Sequence, residues 1–458
     1  MKRSSRFVLT ILLLLPAMTP ARQAEAQGFI IPELGVRKNG MGAAVGRPDE
    51  LAAIYHNPGA LALLPGTQIE ISAGFAFLGT HIRMAPWEGS DSFLTEPVGS
   101  DGYFPEESPS VVAPIPMIGA STNLWSDKLV GALAVYVPNA AGATFGEDAP
   151  SRYHIIDAYV FSAFFTAAVA YRPLPWLAVG LGGSAVYIRI HRRSLLYPVV
   201  DGMDVSGFVG KEAELEIDGE DVKPAFNLGI QVWPDKTLSL GFMMLTRYDV
   251  SLEGPLRLKP TKGSLFDMTE ESRNELANNR QRTEIVSPWV FAFGANWDIT
   301  PRIEVGAEFR YYLNSQVTEQ VTTITSEGLL KDMMPNGFVT PKNLHNSFHT
   351  GGGFNIRPPL AFGLEVMTGV HYESSASPDK TVEVSAPSFD LFSLHIGVRW
   401  SIKQRYRISL LYAHYWYFER TTTDSITSPP TNFVGSGFSN MVTLVLEGQV
   451  ARGIGVGK

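Results

Sequence analysis

The sequence predicts an all-β chain: a fourteen-stranded antiparallel transmembrane β-barrel with an N-terminal segment lodged in its lumen as a hatch. Three observations carry this expectation. After the first 26 residues, fourteen alternating apolar/polar stretches follow one another. Their connectors are by turns long (Leu78–Ala113, Pro138–Arg152, Ile190–Glu220, Ser251–Gln281, Asn314–Asn346, Glu373–Ser388, Glu419–Gly437) and very short (Pro234-Asp235-Lys236, Arg357-Pro358-Pro359). Aromatic side chains also gather at both ends of the stretches. An even strand number, long outer loops, short inner turns and two aromatic girdles are what a barrel in the outer membrane of a Gram-negative cell requires.

The first element is expected to be removed. Lys2, Arg3 and Arg6 precede an apolar run from Phe7 to Leu15, Pro16 breaks it, and Ala24-Glu25-Ala26 is a small-x-small cleavage site. Residues 1–26 therefore read as a secretory signal peptide, with the mature chain starting at Gln27. The chain has no cysteine, so neither disulfides nor a lipid anchor is expected to support the exported fold. Without its leader the chain keeps 33 basic against 44 acidic residues, a net charge of −11. Nucleic acid, which needs a basic stripe, is excluded as a partner. The longest apolar run, Ala158–Tyr171, falls short of the ~20 residues of a spanning helix.

Residues 27–66 are the expected hatch. Gly28-Phe29-Ile30-Ile31, Gly40-Met41-Gly42-Ala43-Ala44-Val45-Gly46 and Asn57-Pro58-Gly59-Ala60-Leu61 mix small residues, which permit close backbone approach, with Phe29, Ile30, Leu34, Leu51, Ile54 and Leu61, which have apolar surface to bury. The lumen is the place to bury it. Pro58 fixes its own φ and biases Asn57 away from helix, so the turn Asn57-Pro58-Gly59 sets how this segment meets the first strand.

The barrel is expected over 67–450. In Ile303–Asn314, the residues Ile303, Val305, Ala307, Phe309 and Tyr311 share one face and Glu304, Gly306, Glu308, Arg310 and Tyr312 the other; Phe392–Ser401 and the last strand, through Val442, Leu444 and Leu446, behave alike. Period two is the mark of a strand with two different solvents on its faces. Trp125, Tyr171, Trp176, Trp233, Trp297, Trp400 and Tyr406 form the inner girdle, and Tyr136, Tyr187, Tyr248, Tyr311, Tyr372 and Trp416 the outer one. A soluble sandwich or propeller would alternate too, but it explains neither the leader, the girdles nor the loop asymmetry. The tail, 451–458, lacks the terminal aromatic that the barrel-assembly machinery usually meets.

These segments resemble the outer-membrane long-chain fatty-acid and aromatic-hydrocarbon transporter family, the FadL/TodX type. The Gly28-Phe29 start, the Gly/Ala-rich stretch and Asn57-Pro58-Gly59-Ala60-Leu61 before strand one carry the resemblance, together with His371–Asp379 and Leu394–Trp400. Gly59 and Ala60 stand where the family more often has Ala then Gly. The resemblance implies a monomeric channel for passive uptake of hydrophobic small molecules, without cofactor. It further implies hatch movement and a lateral exit near strand three, here Leu129–Val137, where Gly131 or Pro138 would weaken strand pairing. The rival reading is a structural or surface-interaction barrel with a closed lumen.

Site chemistry is sparse. Gly180-x-Gly182-x-x-Ala185 mimics a dinucleotide fingerprint, but Val186-Tyr187-Ile188 continues a strand where that motif needs a helix. The glycines read instead as lumenal positions that leave room for the hatch. Ser184 lacks the second glycine of a nucleophile elbow, and no catalytic residue is nominated, so no enzyme is expected. His345 and His349 stand four apart at a loop-to-strand junction without a third ligand, so no metal site is expected. The lumenal charges Glu304, Glu308, Arg310, Glu365, His371, His395, Arg399 and Glu447 form either ion pairs bracing the hatch or a ligand site. In the second case Arg310 or Arg399 meets a fatty acid's carboxylate while Phe29, Ile30 and Leu61 hold its chain.

Overall fold

The computed structural model describes residues 34–451 apart from 93, 198–210, 265–268, 360–362 and 404. The expected leader, the nominated Phe29 and Ile30, and the tail after Ala451 lie outside the described residues. Eighteen strand segments form one sheet. They are β1 (Thr67–Met84), β2 (Ser110–Asn123), β3 (Leu129–Thr144), β4 (Asp157–Leu174), β5 (Leu177–Leu196), β6 (Ala213–Val232), β7 (Leu238–Leu245), β8 (Tyr248–Pro260) and β9 (Asn279–Ser287). The remainder are β10 (Val290–Thr300), β11 (Ile303–Tyr312), β12 (Glu319–Ile324), β13 (Phe338–Pro341), β14 (Ser347–Ile356), β15 (Leu364–Glu373), β16 (Leu391–Ile402), β17 (Tyr406–Thr421) and β18 (Phe433–Ala451).

β6 pairs with both β7 and β8, β9 with β8 and β12, and β11 and β12 with β14 and β13. Each of β7–β8, β9–β10, β11–β12 and β13–β14 is thus one interrupted strand, and the barrel has fourteen. It closes where β1 pairs with β18 from Thr67↔Ala451 to Met84↔Phe433. Closure pairs the first strand with the last, so no strand is left as an edge strand among lipids, where unpaired backbone groups are costly.

The strands run further into the long connectors than the apolar alternation indicates. β1 continues to Met84, β3 to Thr144 and β5 to Leu196, and the expected loop 314–346 contains β12 and β13. The reason is physical: alternation marks contact with hydrocarbon, whereas the hydrogen-bond ladder persists above it. On that outer extension charges replace apolar side chains, as in Arg193 to Asp157 (2.7 Å) and Arg257 to Glu216 (2.6 Å).

The outward faces are those expected: Phe309, Leu394, Ile396, Val398, Val442, Leu444 and Leu446 are exposed, and Glu304, Glu308, Arg310, His395 and Arg399 are buried inside. Two members of the outer girdle are not where the sequence places them. Tyr136 and Tyr248 point into the lumen, Tyr136 stacking on Phe164 at 5.5 Å and meeting Tyr55 edge-on at 5.7 Å. A strand-end position does not fix the face; register does.

Residues 34–66 fill the lower lumen. Helix α1 (Gly35–Met41) lies against β14–β17, and the turn α2 (Ala53–His56) leads into a 3₁₀ turn (Pro58–Leu63) against β4, β5 and β6. The first amides of α1 would be orphaned at a buried helix start. Instead Val36 and Arg37 donate their N–H groups to Glu50 (2.6 and 2.9 Å). Gly42, left-handed at φ 71°, ends the helix by donating to Lys38 O.

Candidate functional site: a lumenal chamber above the inserted segment

The inserted segment is held by backbone contact and by buried ion pairs. Asn57 Nδ2 donates to Val45 O, Ile230 O and Gln231 Oε1 (3.2, 3.1 and 2.9 Å), while its Oδ1 accepts from Gly59 N (3.1 Å). The nominated turn Asn57-Pro58-Gly59 therefore docks on β6. Across from it a Cβ on Gly180 would lie 2.3 Å from the carbonyl carbon of Pro58, so this glycine gives the segment room, as its lumenal position suggested. Leu61 is fully buried in one apolar cluster with Leu51, Ile54, Tyr136 and Phe164.

The lumenal charges meet partners from the inserted segment. Arg37 pairs with Asp49 (2.9 Å) and Glu304 (2.8 Å). Arg399 reaches Asp49 (3.1 Å) and Glu50 (3.3 Å). Glu308 accepts from Ala44 N and Val45 N (2.7 and 2.9 Å) and pairs with Arg310 (2.6 Å), which also donates to His56 Nδ1 (2.8 Å). Burial pushes the Glu50 carboxyl up to about 7 despite Arg399. Burial acts the same way on Asp49, but Arg37 and Arg399 outweigh it and hold that carboxyl well below the usual range. Both nominated arginines are thus engaged by carboxylates within the brace. Asp49 and Glu50 are the partners that sequence reasoning did not single out; an adjacent acidic pair amid small apolar residues was the available signal.

On the loop side of this brace lies a chamber that is partly open to solvent. Its body is apolar, with Leu78, Ile82, Ala140, Ala143, Phe145 and Val160, and its far wall mixes apolar Ile285, Val317 and Leu344 with polar Asn314, Gln320, Ser347, His371 and Glu373. The loop 374–390 covers part of it through Val384, Pro387 and Phe389. Lys342, also in the lining, pairs with Glu383 of that loop at 2.8 Å.

The chamber reaches a stretch of wall that is not closed by hydrogen bonds. β2 pairs with β3 only from Asn123↔Val130 to Met117↔Tyr136, although β2 continues to pair with β1 as far as Ser110. Beyond Tyr136, β3 pairs only with β4, after a register shift between Tyr136 and Asn139. Pro114 and Pro116 on β2 and Pro138 on β3 supply no N–H for a ladder here. Pro109, Ser110 and Val111 on one side and Ala140–Ala143 on the other line the chamber. Above the gap, Ser151 of the 145–156 loop donates its N–H (3.1 Å) and hydroxyl (2.6 Å) to Glu107.

Donor atoms of His349, His371 and Glu373 lie within 4.8 Å of one another, as do those of His191, Glu216 and Asp218. In the first group the Lys38 ammonium meets His349 Nε2, and in the second Arg257 pairs with both carboxylates. His345 is exposed and takes no part; the ring beside His349 is His371, at 4.3 Å. Ser184 bonds to Thr166 (2.7 Å) on the lumenal wall.

The profile of the family described as outer membrane protein transport protein (OMPP1/FadL/TodX) matches residues 17–439. Among curated proteins no sequence relative is detectable. Similar solved structures include a FadL homologue of Pseudomonas aeruginosa, with 14% identity and a TM-score of 0.77 over 95% of this chain and 99% of that one. The toluene transporter TodX of Pseudomonas putida has 14% identity and a TM-score of 0.65 over 94% and 100%. The toluene transporter TbuX of Ralstonia pickettii has 14% and 0.63 over 91% and 98%.

Proposed function

Since the chain belongs to the outer membrane protein transport protein family (OMPP1/FadL/TodX) over residues 17–439, we propose that it is an outer-membrane channel for passive uptake of hydrophobic small molecules through the chamber and the wall between β2 and β3. The observation that carries this reading is the continuity of an apolar chamber with an unpaired stretch of barrel wall. A saccharide-covered outer leaflet repels apolar solutes, and a water-filled pore does not attract them. A chamber lined by side chains such as Leu78, Ile82, Phe145 and Val160 does, at roughly 25 cal/mol for each Å² of apolar surface removed from water.

The inserted segment acts as the hatch in this reading. With Leu61 packed at its base and Asn57 docked on β6, it denies a straight aqueous path to the periplasm and leaves the side exit as the easier route. The small side chains of Ala140, Ala141, Gly142 and Ala143 keep that exit low. Solutes of the kind named for the similar structures, such as toluene, and long-chain fatty acids are the first candidates for cargo.

The test is accumulation of radiolabelled toluene and long-chain fatty acid in cells lacking their own transporters. The unaltered chain is expected to raise uptake of at least one solute, and Ala140→Trp, which fills the exit, to return it toward background in a barrel still heat-modifiable. Uptake no faster than in empty cells would favour a surface-interaction barrel with a closed lumen.

A further inference from the structure

Two buried donors on β11 bear on what the chamber accepts, and what they imply rests on the channel reading above. Arg310 and Tyr312 stand two residues apart, so they share the inward face of the strand, and both are buried. The Arg310 guanidinium gives Nε to Glu308 (2.6 Å) and Nη2 to His56 Nδ1 (2.8 Å), while its Nη1 has no hydrogen-bond partner among the described residues. The Tyr312 hydroxyl has none either, and Tyr312 lines the chamber. Its neighbours on that wall are engaged: Ser347, directly across from Tyr312 on β14, accepts from Asn314 (2.7 Å), and His371 meets His395 (3.3 Å). Buried polar groups in native proteins are almost always hydrogen-bonded, and a donor left over is costly.

Both groups call for the same complement, an oxygen with lone pairs. Each two-nitrogen edge of the Arg310 guanidinium already contains an engaged nitrogen, so it cannot offer the two-nitrogen grip that a carboxylate receives from a free arginine. One N–H and one phenolic O–H suit the two lone pairs of a single carbonyl oxygen. Their place in the barrel gives a direction as well. The segments β11 and β12 form the ninth barrel strand, and the unpaired wall lies between the second and the third, about half the circumference away.

We propose that the chamber takes an apolar chain carrying a neutral carbonyl, a ketone or an ester, whose oxygen accepts from the Tyr312 hydroxyl and from Nη1 of Arg310. Tyr312 is the residue that sets the preference for such cargo over the plain hydrocarbon. The tail crosses the lumen along Leu78, Ala140 and Val160, so the cargo meets the side exit apolar end first. Apolar contacts are common to ketone and hydrocarbon of one length; the two hydrogen bonds are not.

The experiment is a competition series on the full chain in amphipol, in which methyl heptyl ketone, nonane and nonanoate, equal in carbon number, displace one neutral fluorescent hydrophobe. Tyr312→Phe removes only a hydroxyl without a partner, so the barrel is expected to stay heat-modifiable. The variant is expected to weaken the ketone about fivefold, the worth of one neutral hydrogen bond, and to leave nonane unmoved. The carbonyl stretch of the bound, isotope-labelled ketone reads the same contact without any variant, and is expected at lower frequency in the unaltered chain than in an alkane solvent. A stretch at the alkane-solvent frequency, or a ketone affinity unmoved in the folded variant, overturns the assignment. So does nonanoate binding more tightly than the ketone and losing as much in the variant, which would give the donors to a carboxylate. In each of these cases displacement of the probe leaves the channel standing. Failure of all three solutes to displace a probe that binds Ala140→Trp equally well would remove the chamber, and the channel reading with it.

Discussion

Arg399 on β16 donates to Asp49 of the inserted segment at 3.1 Å, across 350 residues of chain, and the same guanidinium reaches Glu50 at 3.3 Å. Glu50 in turn accepts the first amides of α1. One wall arginine therefore orients the carboxylate that starts the helix of the inserted segment, and loss of either partner strands a charge out of water.

Arg399→Ala is accordingly expected to loosen the inserted segment by about 3–5 kcal/mol without opening the sheet, whose backbone ladder its side chain does not join. Limited proteolysis within 34–66 should accelerate while heat-modifiability of the barrel persists. A double-mutant cycle with Asp49→Asn should show coupling; strict additivity would mean the pair does not brace the segment.

Gly369 on β15 allows Met41 to approach the wall, since a Cβ there would fall 2.0 Å from Met41 O. Backbone cannot give way as a side-chain tip can, so Gly369→Ala is expected to destabilise seating of α1 by about 1–3 kcal/mol. Amide exchange of Gly35–Met41 reads this directly; unchanged protection would show that the helix stands further from β15.

A pH dependence is expected at the loop above the gap. Burial raises the Glu107 carboxyl to about 7, against the opposing effect of its bonds from Ser151. The folded chain thus holds this proton more tightly than the ordinary carboxylate near 4.5. The contribution to closure is full below that value and is lost as the pH rises through about 7. After correction for intrinsic rates, the Ser151 amide should be better protected at about pH 5 than at about pH 8, and Glu107→Gln should flatten the profile. A flat profile in the unaltered chain would dissociate Glu107 from closure.

The loop asymmetry places Asp235 in a short turn and 421–429 in a long loop, on opposite sides of the membrane. An epitope inserted between Thr421 and Pro429 should be reached by antibody on intact cells, and one at Asp235 only after permeabilisation. The reverse pattern would invert the barrel.

The sequence by itself determined the barrel: strand number, the face taken by each clearly alternating apolar row, and which end carries the loops. Those properties are local, because every second side chain in Ile303–Tyr312 or Leu391–Ile402 must suit one solvent or the other, and a connector's length is read without knowing its neighbours. It also marked Asn57-Pro58-Gly59 as a turn and the charges as lumenal. The tertiary structure alone decided that Tyr136 and Tyr248 face inward, that Arg310 and Arg399 meet Glu308, Asp49 and Glu50, that His349 stands beside His371 and not His345, and that β2 parts from β3 above Met117↔Tyr136. These relationships depend on register between strands and on approach across the lumen between residues hundreds of positions apart. No local pattern encodes such meetings; they follow from closing the sheet around the inserted segment.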